Sequence, residues 1–425
     1  MYRLQKKHSI DTIFDYLAFF QIFSIPTEPF FPIHFRLFTL TLLSMQVILK
    51  RKRTFRNAFL LFAFAFFTLT AASLAYTPKN AQGFDTVKVM LYVYFAAVVI
   101  TSYLNKRFDK IEKQTSFLMN SFCLGTVLIL VYTMLVEKDH IFNGYWRLGK
   151  IVFQNDGTFM MLSYCIIVSF IWAIFCAMAK KRKIYFFLIL FLTFASILSG
   201  TKKTFIVFFM TMLLFILLRY RKHTVKLTML MLCVIAILIA VYDCLLNITF
   251  LYQSLGFRIE SYLHSLADSS SSLSASSLER AVMQDYAMEW FKDNPIFGNG
   301  VSAFRAKYVL VSGRFLYSHC NYTELLCNNG LIGFTLYYGY MLYLTNKLYI
   351  LYKKTKCESC MFFTIFMVVL LIIDYGQVSY YRLHYILIVA AASVCVSVSQ
   401  AKLQQVNTIT QERMPDPRLR RESDV

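Results

Sequence analysis

Long apolar runs, separated by short polar interruptions, fill most of the chain. A hydrocarbon core of ~30 Å takes about 17–25 apolar residues per helix. Runs of roughly that kind recur at 13–25, 31–49, 56–76, 86–104, 116–136, 157–179, 184–199, 203–218, 227–246, 331–350, 361–377 and 383–400. The pattern predicts an all-α polytopic membrane protein with about twelve transmembrane helices, of which the first, seventh and eighth are the shortest. Basic residues precede the first run but no small-residue cleavage site follows it, so it reads as a retained span and not as a removed signal peptide.

Only one polar stretch is long. Residues 1–246 therefore hold nine spans, 247–330 form an extracytoplasmic loop, 331–400 hold three more spans, and 401–425 read as a disordered cytoplasmic tail with Pro415 and Pro417. Within the loop, 252–263 suits a helix lying in the interface, and a Ser-rich linker follows. Ser277 is the expected N-cap of a helix over 278–292, with Glu279 and Arg280 in its first turn, ended by Asp293-Asn294-Pro295. Pro295-Ile296-Phe297-Gly298-Asn299-Gly300 reads as a Gly-rich turn, and a last short helix over 320–329 is expected to stop at Gly330. No internal repeat is evident.

Composition sharpens the picture. The chain has 425 residues, 58% hydrophobic and only 16% charged, against about 45–50% and 25% in ordinary soluble domains. A water-soluble globule, a disordered chain and a nucleic-acid-binding protein are excluded. The net charge of +21 follows from topology: with both termini cytoplasmic, 29 of the 44 Lys and Arg residues fall inside and 15 outside, the positive-inside bias. The 247–330 loop is nearly neutral, with six basic and seven acidic residues, so its function must rest on individual positions.

Most of the 10 Cys lie inside spans, where they act as small apolar residues. Cys357 and Cys360 form a CxxC in a predicted cytoplasmic loop, but a zinc site needs two further ligands and none is evident nearby. No metal site and no cofactor is expected. Phe297-Gly298-Asn299-Gly300-Val301-Ser302-Ala303 lacks the third Gly and the βαβ setting of a dinucleotide site, and Ser199-Gly200-Thr201-Lys202-Lys203-Thr204 is no P-loop.

Several outward residues nonetheless stand out. Lys202 and Lys203 occupy the tight loop between the seventh and eighth spans, against the positive-inside trend. They are either snorkelling lysines or a fixed pair of cations for a lipid-linked anion. Arg280, early in its helix, opposes the helix dipole unless it pairs with Glu279 or Asp285. His319 precedes the last loop helix.

Their order along the chain carries more than each alone. Arg280 stands ten residues before Trp290, then come Asn294-Pro295-Ile296-Phe297-Gly298-Asn299-Gly300, then His319, and then Gly330-Leu331-Ile332-Gly333. This order resembles the O-antigen and capsule repeat-unit polymerase and O-antigen ligase superfamily, and looks most like its Gram-positive-type polysaccharide polymerases. Ser199-Gly200-Thr201-Lys202 fits the family's Ser-Gly-Ser-Arg motif with Lys202 where Arg is usual, and Cys320 stands where Asn commonly follows the His. Lys keeps the charge but loses the bidentate fork for phosphate. The motifs cover about 199–205 and 277–335.

The resemblance implies a GT-C-like architecture. It also implies inverting, metal-independent transfer of a glycan from a polyprenyl diphosphate to a sugar hydroxyl, on the outer face of the bacterial cytoplasmic membrane. A diphosphate leaving group needs charge neutralisation, for which Arg280 and Lys202 are the candidates. The acceptor hydroxyl needs a base, for which His319 is the candidate and Glu324 the reserve. Lys203, Arg305, Arg314, Asn321, Glu324 and Trp290 are the expected substrate-binding residues, with Tyr317, Tyr322 and Phe304 as further rings that stack on sugars or simply pack. The expected partners are the polyprenyl-diphosphate-linked oligosaccharide and membrane lipid, with a flippase and a chain-length regulator of the same pathway. Within the class the alternative is a ligase; from another class it is a transporter of lipid-linked oligosaccharide, for which Asp15 is the clearest ionisable residue inside a span.

Overall fold

The computed structural model describes residues 2–49, 57–141, 147–153, 159–257, 259–260 and 275–412. Among these residues the protein is all-helical. In chain order the helices are α1 (Tyr2–Phe23), α2 (Ile33–Leu49), α3 (Ala58–Ala72), α4 (Gly83–Arg107), α5 (Ile111–Val136), α6 (Phe159–Met178) and α7 (Ile184–Ser199). They continue with α8 (Lys202–Tyr220), α9 (Thr224–Asn247), α10 (Ala275–Asp293), α11 (Ala303–Ser312), α12 (Asn321–Thr355), α13 (Glu358–Ile373) and α14 (Leu383–Glu412).

Each of the expected spans falls on one of these helices. Hydrocarbon offers no partner for backbone N–H and C=O groups, so apolar runs rich in Phe, Ile and Val fold as helices whatever their intrinsic preference. Among the described residues, eight helices are long and apolar enough to cross a membrane, and α2 and α7 are shorter apolar helices. The protein is a polytopic, all-α membrane protein. The bundle is held by α4 against α14, α6 against α7, and α12 against α13, with α12 also touching α3 and α14. Fully buried rings such as Trp172, Phe362, Phe366 and Tyr385 fill the shared core.

Asp15, the carboxylate inside the first span, is locked between α1 and α4. Arg107 grips it through Nε and Nη2, each at 2.8 Å from a carboxylate oxygen, and the Tyr103 hydroxyl donates to it at 2.7 Å.

The outer segment departs from the sequence reading in several places. Helix α10 is already formed at Ala275, so Ser277 lies inside it and is not its cap, and Arg280 sits in the second turn. Serines are weak helix formers, not breakers, and the linker carries no Gly or Pro to stop the helix there. Helix α11 was not expected, although Ser302 precedes it and Gly313, in the left-handed region, caps its end; its Phe304 and Tyr308 are buried against Met283 and Ala287 of α10. Helix α12 does not end at Gly330 but passes through it with a kink (φ 62°, ψ −166°). Tyr252–Gly256 forms a π-helical turn with Ser254, Leu255 and Gly256 buried, and the rest of the expected interfacial helix and the Ser-rich linker, 261–274, lie outside the described residues. Helix α14 runs on to Glu412, where a disordered tail was expected, because no breaker follows until Pro415; residues 413–425 lie outside the described residues.

Candidate active site

The Gly-rich turn after α10 docks backbone to backbone on the kink of α12. Asn299 N–H donates to the Cys327 carbonyl and Gly300 N–H to the Asn328 carbonyl, both at 2.9 Å, while Leu331 N–H donates to the Pro295 carbonyl at 2.8 Å. Contact this close leaves no room for side chains. A Cβ on Gly298 would stand 2.5 Å from the Asn328 carbonyl, and one on Gly330 would stand 2.3 Å from the Ile296 oxygen. Both glycines also have positive φ. Asn299 ties the turn together: its amide donates to the Trp290 carbonyl at 2.7 Å, and its oxygen accepts from Lys307 Nζ at 2.7 Å. Trp290 itself packs with Tyr286 and Phe304 in a small core that also holds Met283, Ala287 and Tyr308.

This frame carries the loop that presents His319. Glu324, buried in the first turn of α12, accepts from Ser318 N–H at 2.7 Å and from the Asn328 amide at 3.3 Å. Ser318 Oγ donates to the Cys320 carbonyl at 2.9 Å. Between these anchors His319 adopts φ 59°, the left-handed region that costs a branched or bulky residue energy and that functional sites tolerate. Its ring lies 4.2 Å from that of Tyr317, and its Nδ1 is buried without a hydrogen-bond partner. Burial, then the neighbouring charges of Arg280, Lys203 and Arg314, push the imidazole down to about 3.

Three cations from different parts of the chain, Lys203, Arg280 and Arg314, act on this ring. The Ser199–Thr204 turn is stitched by hydroxyls, with Ser199 to Thr201 at 3.0 Å and Thr201 to Thr204 at 2.8 Å. Gly200, in the left-handed region, caps α7. The turn sets Lys203 into the first helical turn of α8, where its Nζ is buried with no hydrogen-bond partner. The side chain of Lys202 lies outside the described residues. Arg280 comes from α10 and pairs with neither Glu279 nor Asp285; Glu279 is instead taken by Arg314. Arg147, in the loop after α5, lies within reach of Arg280: burial and then the Arg280 charge hold its guanidinium below the ordinary arginine range.

A second group adjoins the first through Tyr317. Arg305 on α11 donates from Nη2 to the Tyr381 hydroxyl at 2.5 Å, and its guanidinium lies 5.9 Å from the Tyr317 ring. Proximity to Tyr381 is the main reason its charge is held above the ordinary range. Arg382 lies over the Tyr381 ring at 5.1 Å. The Nε atoms of Arg305 and Arg382 are both buried without a partner. A buried cationic atom left without a hydrogen-bond partner is expensive, and a cluster of them suits an anion.

Beneath the loop, Asn321 and Glu324 serve as framework. Asn321 donates to Tyr338 Oη at 2.8 Å and to Asp374 Oδ2 at 3.2 Å, and accepts from Ser379 N–H at 3.0 Å. These bonds fix the start of α12 to the outer ends of α13 and α14. Burial pushes the Glu324 carboxyl up, against the opposing pull of Arg305 and the Ser318 N–H.

Of the residues singled out from sequence, Lys203, Arg280, Arg305, Arg314 and His319 converge, whereas Trp290, Asn321 and Glu324 lie in the supporting structure. Arg147, Tyr381 and Arg382 went unread. The available signal was the one that drew attention to Lys202 and Lys203: Arg147 and Arg382 are also basic residues on the outer side, contrary to the topological bias.

The protein is thus a polytopic helical bundle whose long segment between spans sets a histidine among arginines and a lysine. The comparison with known families gives this class its place. Residues 185–338, from α7 through the long segment into α12, match the family described as O-antigen ligase, which supports a place in the O-antigen ligase and polymerase superfamily. No curated protein matches the chain significantly.

Proposed function

We propose that the protein is a bacterial cell-surface polysaccharide polymerase of the cytoplasmic membrane, with both termini cytoplasmic. It joins polyprenyl-diphosphate-linked oligosaccharide repeat units on the outer face, taking them after a flippase and under a chain-length regulator. The observation that carries this reading is the gathering of cations about one loop: Lys203, with its Nζ buried and unbonded, Arg280 and Arg314 act on His319, and Arg305 and Arg382, with buried unbonded Nε atoms, adjoin them through Tyr317.

The chemistry follows from that set. The acceptor hydroxyl oxygen attacks the anomeric carbon as the bond to the diphosphate oxygen breaks, inverting the centre. Negative charge grows on the departing diphosphate, which Arg280, Lys203 and Lys202 stabilise, with Arg314 acting on the same imidazole and Arg305 and Arg382 adjoining through Tyr317. Fixed charge in a site shielded from water acts without reorganisation. The hydroxyl proton passes to the imidazole of His319. In the free protein burial, and then the surrounding cations, make that imidazole a weak base. A bound diphosphate offsets the same cations, so basicity rises when substrate is present.

Incubating the purified protein in lipid with lipid-linked repeat units, followed by gel analysis, tests the reading. A ladder of products supports it. The family description favours one other reading, a ligase that moves finished glycan to a single acceptor. One shifted acceptor band without a ladder would establish that instead, and unchanged substrate would sink both.

A further inference from the structure

At the end of the bundle opposite His319, three thiols converge that the transfer chemistry does not use. Cys357 is the N-cap residue of α13 and Cys360 lies one turn into that helix. Cys395 comes from α14, and the sulfurs of all three lie within 4.8 Å of one another. Cys360 Sγ and Cys395 Sγ are 3.6 Å apart. The two ligands that the CxxC lacks in sequence are thus brought to it by packing: one is Cys395, and the other is Glu112 in the first turn of α5, whose Oε1 lies 3.8 Å from Cys357 Sγ.

We infer that Cys357, Cys360, Cys395 and Glu112 form a zinc site that ties α13 and α14 to α5. The spacing fits the ion. With Zn–S of ~2.3 Å and Zn–O of ~2.0–2.2 Å, the edges of a tetrahedron are about 3.8 Å between sulfurs and about 3.5 Å between sulfur and oxygen. The 3.6 Å and 3.8 Å separations match two of those edges. The three sulfurs, within 4.8 Å of one another, close up slightly, and the exposed Glu112 carboxylate, which lies beside Cys357 but outside the sulfur cluster, turns inward to complete the tetrahedron. Three sulfurs with one carboxylate suit Zn²⁺, and the all-oxygen preference of Mg²⁺ and Ca²⁺ excludes those ions. Binding releases the three thiol protons to solvent.

The surroundings suit both retention and entry. Cys360 and Cys395 are buried and Cys357 is half-buried, so the site is closed on the bundle side and open at its edge. Ser399, one turn after Cys395, is 3.4 Å from Cys360 Sγ and supplies an outer hydroxyl contact. Lys180 lies within electrostatic reach of Glu112 and offsets part of the negative charge of the ligands. Helix α5 already meets α13 there through Thr115, whose hydroxyl donates to Ser359 Oγ at 3.3 Å.

The test uses the full chain purified in detergent under reducing conditions and stripped with chelator. Zn²⁺ is titrated against a chromophoric competitor, and Co²⁺ replaces it as a spectroscopic probe. One Zn²⁺ per chain is expected, together with the intense sulfur-to-cobalt charge-transfer absorption of a tetrahedral thiolate site. Two substitutions leave the fold intact: Cys357→Ser puts a good N-cap residue at a helix N-cap, and Glu112→Gln changes an exposed side chain. Each should weaken Zn²⁺ binding by about tenfold or more. Wild-type protein that binds no more tightly than Cys357→Ser overturns the site. So does Glu112→Gln protein that binds as tightly as wild type, or a Co²⁺ complex without the sulfur charge-transfer band.

Discussion

Lys203 lies directly across Gly376: its Cε stands 2.7 Å and its Nζ 3.1 Å from where a Cβ on Gly376 would be. Gly376 closes the short turn after α13, beside Asp374, so one missing methyl group sets the height of the ammonium at the His319 cluster. Gly376 is not among the positive-φ residues, so its backbone accepts alanine, and the three nearest obstructing atoms all belong to the lysine stem. Gly376→Ala should therefore fold with a stability change below about 1 kcal/mol. Displacing a charge by an ångström at a reacting centre costs on the order of 10²-fold in rate. Thermal melting in detergent and the rate of polymer formation check the two halves, and an unchanged rate would detach Lys203 from the chemistry.

The docking of the Gly-rich turn on the α12 kink makes a second, purely structural prediction. Gly298→Ala and Gly330→Ala each force a methyl group into backbone atoms at about 2.5 Å, in a left-handed conformation. Each should cost about 2–4 kcal/mol. Gly313→Ala is the control, since Gly313 has φ 70° but nothing within 4 Å of the added carbon. It should cost about 1 kcal/mol. Limited proteolysis of the outer segment and melting curves separate the three.

How much of this was legible beforehand depends on the kind of force involved. The spans were, because a helix in hydrocarbon is dictated by run length and needs no knowledge of neighbours; α7 matches its expected bounds, 184–199, residue for residue. The start of α10 and the existence of α11 were not: Met283, Tyr286, Ala287 and Trp290 share one face of α10 and Phe304 and Tyr308 one face of α11, but these short stripes bury one another across the two helices, a pairing the chain order does not show. The site divides similarly. Arg280 and His319 were legible through their order relative to the glycine motifs. Arg382 and Arg147 were not, because what matters about them is proximity: Arg382 lies within reach of Tyr317 and Arg147 of Arg280, from loops far along the chain. The same limit hid Cys395 and Glu112 from the CxxC.

An ammonium buried without a partner should cost stability while serving function. Lys203→Met keeps the stem and removes the charge, so it should raise stability by about 1–2 kcal/mol and lower the transfer rate by roughly 10²–10³-fold. Lys203→Ala would lose rate as well, but its cavity obscures the gain. A lysine that merely snorkels would give neither effect. Lys202 offers a parallel comparison: Lys202→Ala should lose polymer and Lys202→Arg should retain it.

Arg280→Ala should lower the rate by about 10²–10³-fold while the protein still reaches the membrane, because no carboxylate on α10 depends on it; Glu279 belongs to Arg314. Removing Arg280 should also let the His319 imidazole rise, since after burial the guanidinium is the strongest influence that holds it down. Both effects are measurable on one variant, by gel ladder and by pH dependence, and wild-type chain lengths would rule Arg280 out of the chemistry.

The pH dependence gives His319 a signature that a framework residue would not share. In the free protein its imidazole lies near 3, below the ordinary 6.5, so it is already unprotonated throughout the physiological range. The acid limb of kcat/KM, which reports the free enzyme, should show no loss from His319 between pH 7 and 5. Bound diphosphate offsets Arg280 and Lys203, which raises the imidazole toward its ordinary value. The acid limb of kcat, which reports the substrate complex, should therefore lie at higher pH than that of kcat/KM. His319→Gln should abolish the kcat limb together with most of the activity, by about 10²–10⁴-fold. Coincident limbs in the two profiles, or a kcat limb that survives in His319→Gln, would move the base to another residue, with Glu324 next in line, held beneath the same loop by the Ser318 N–H.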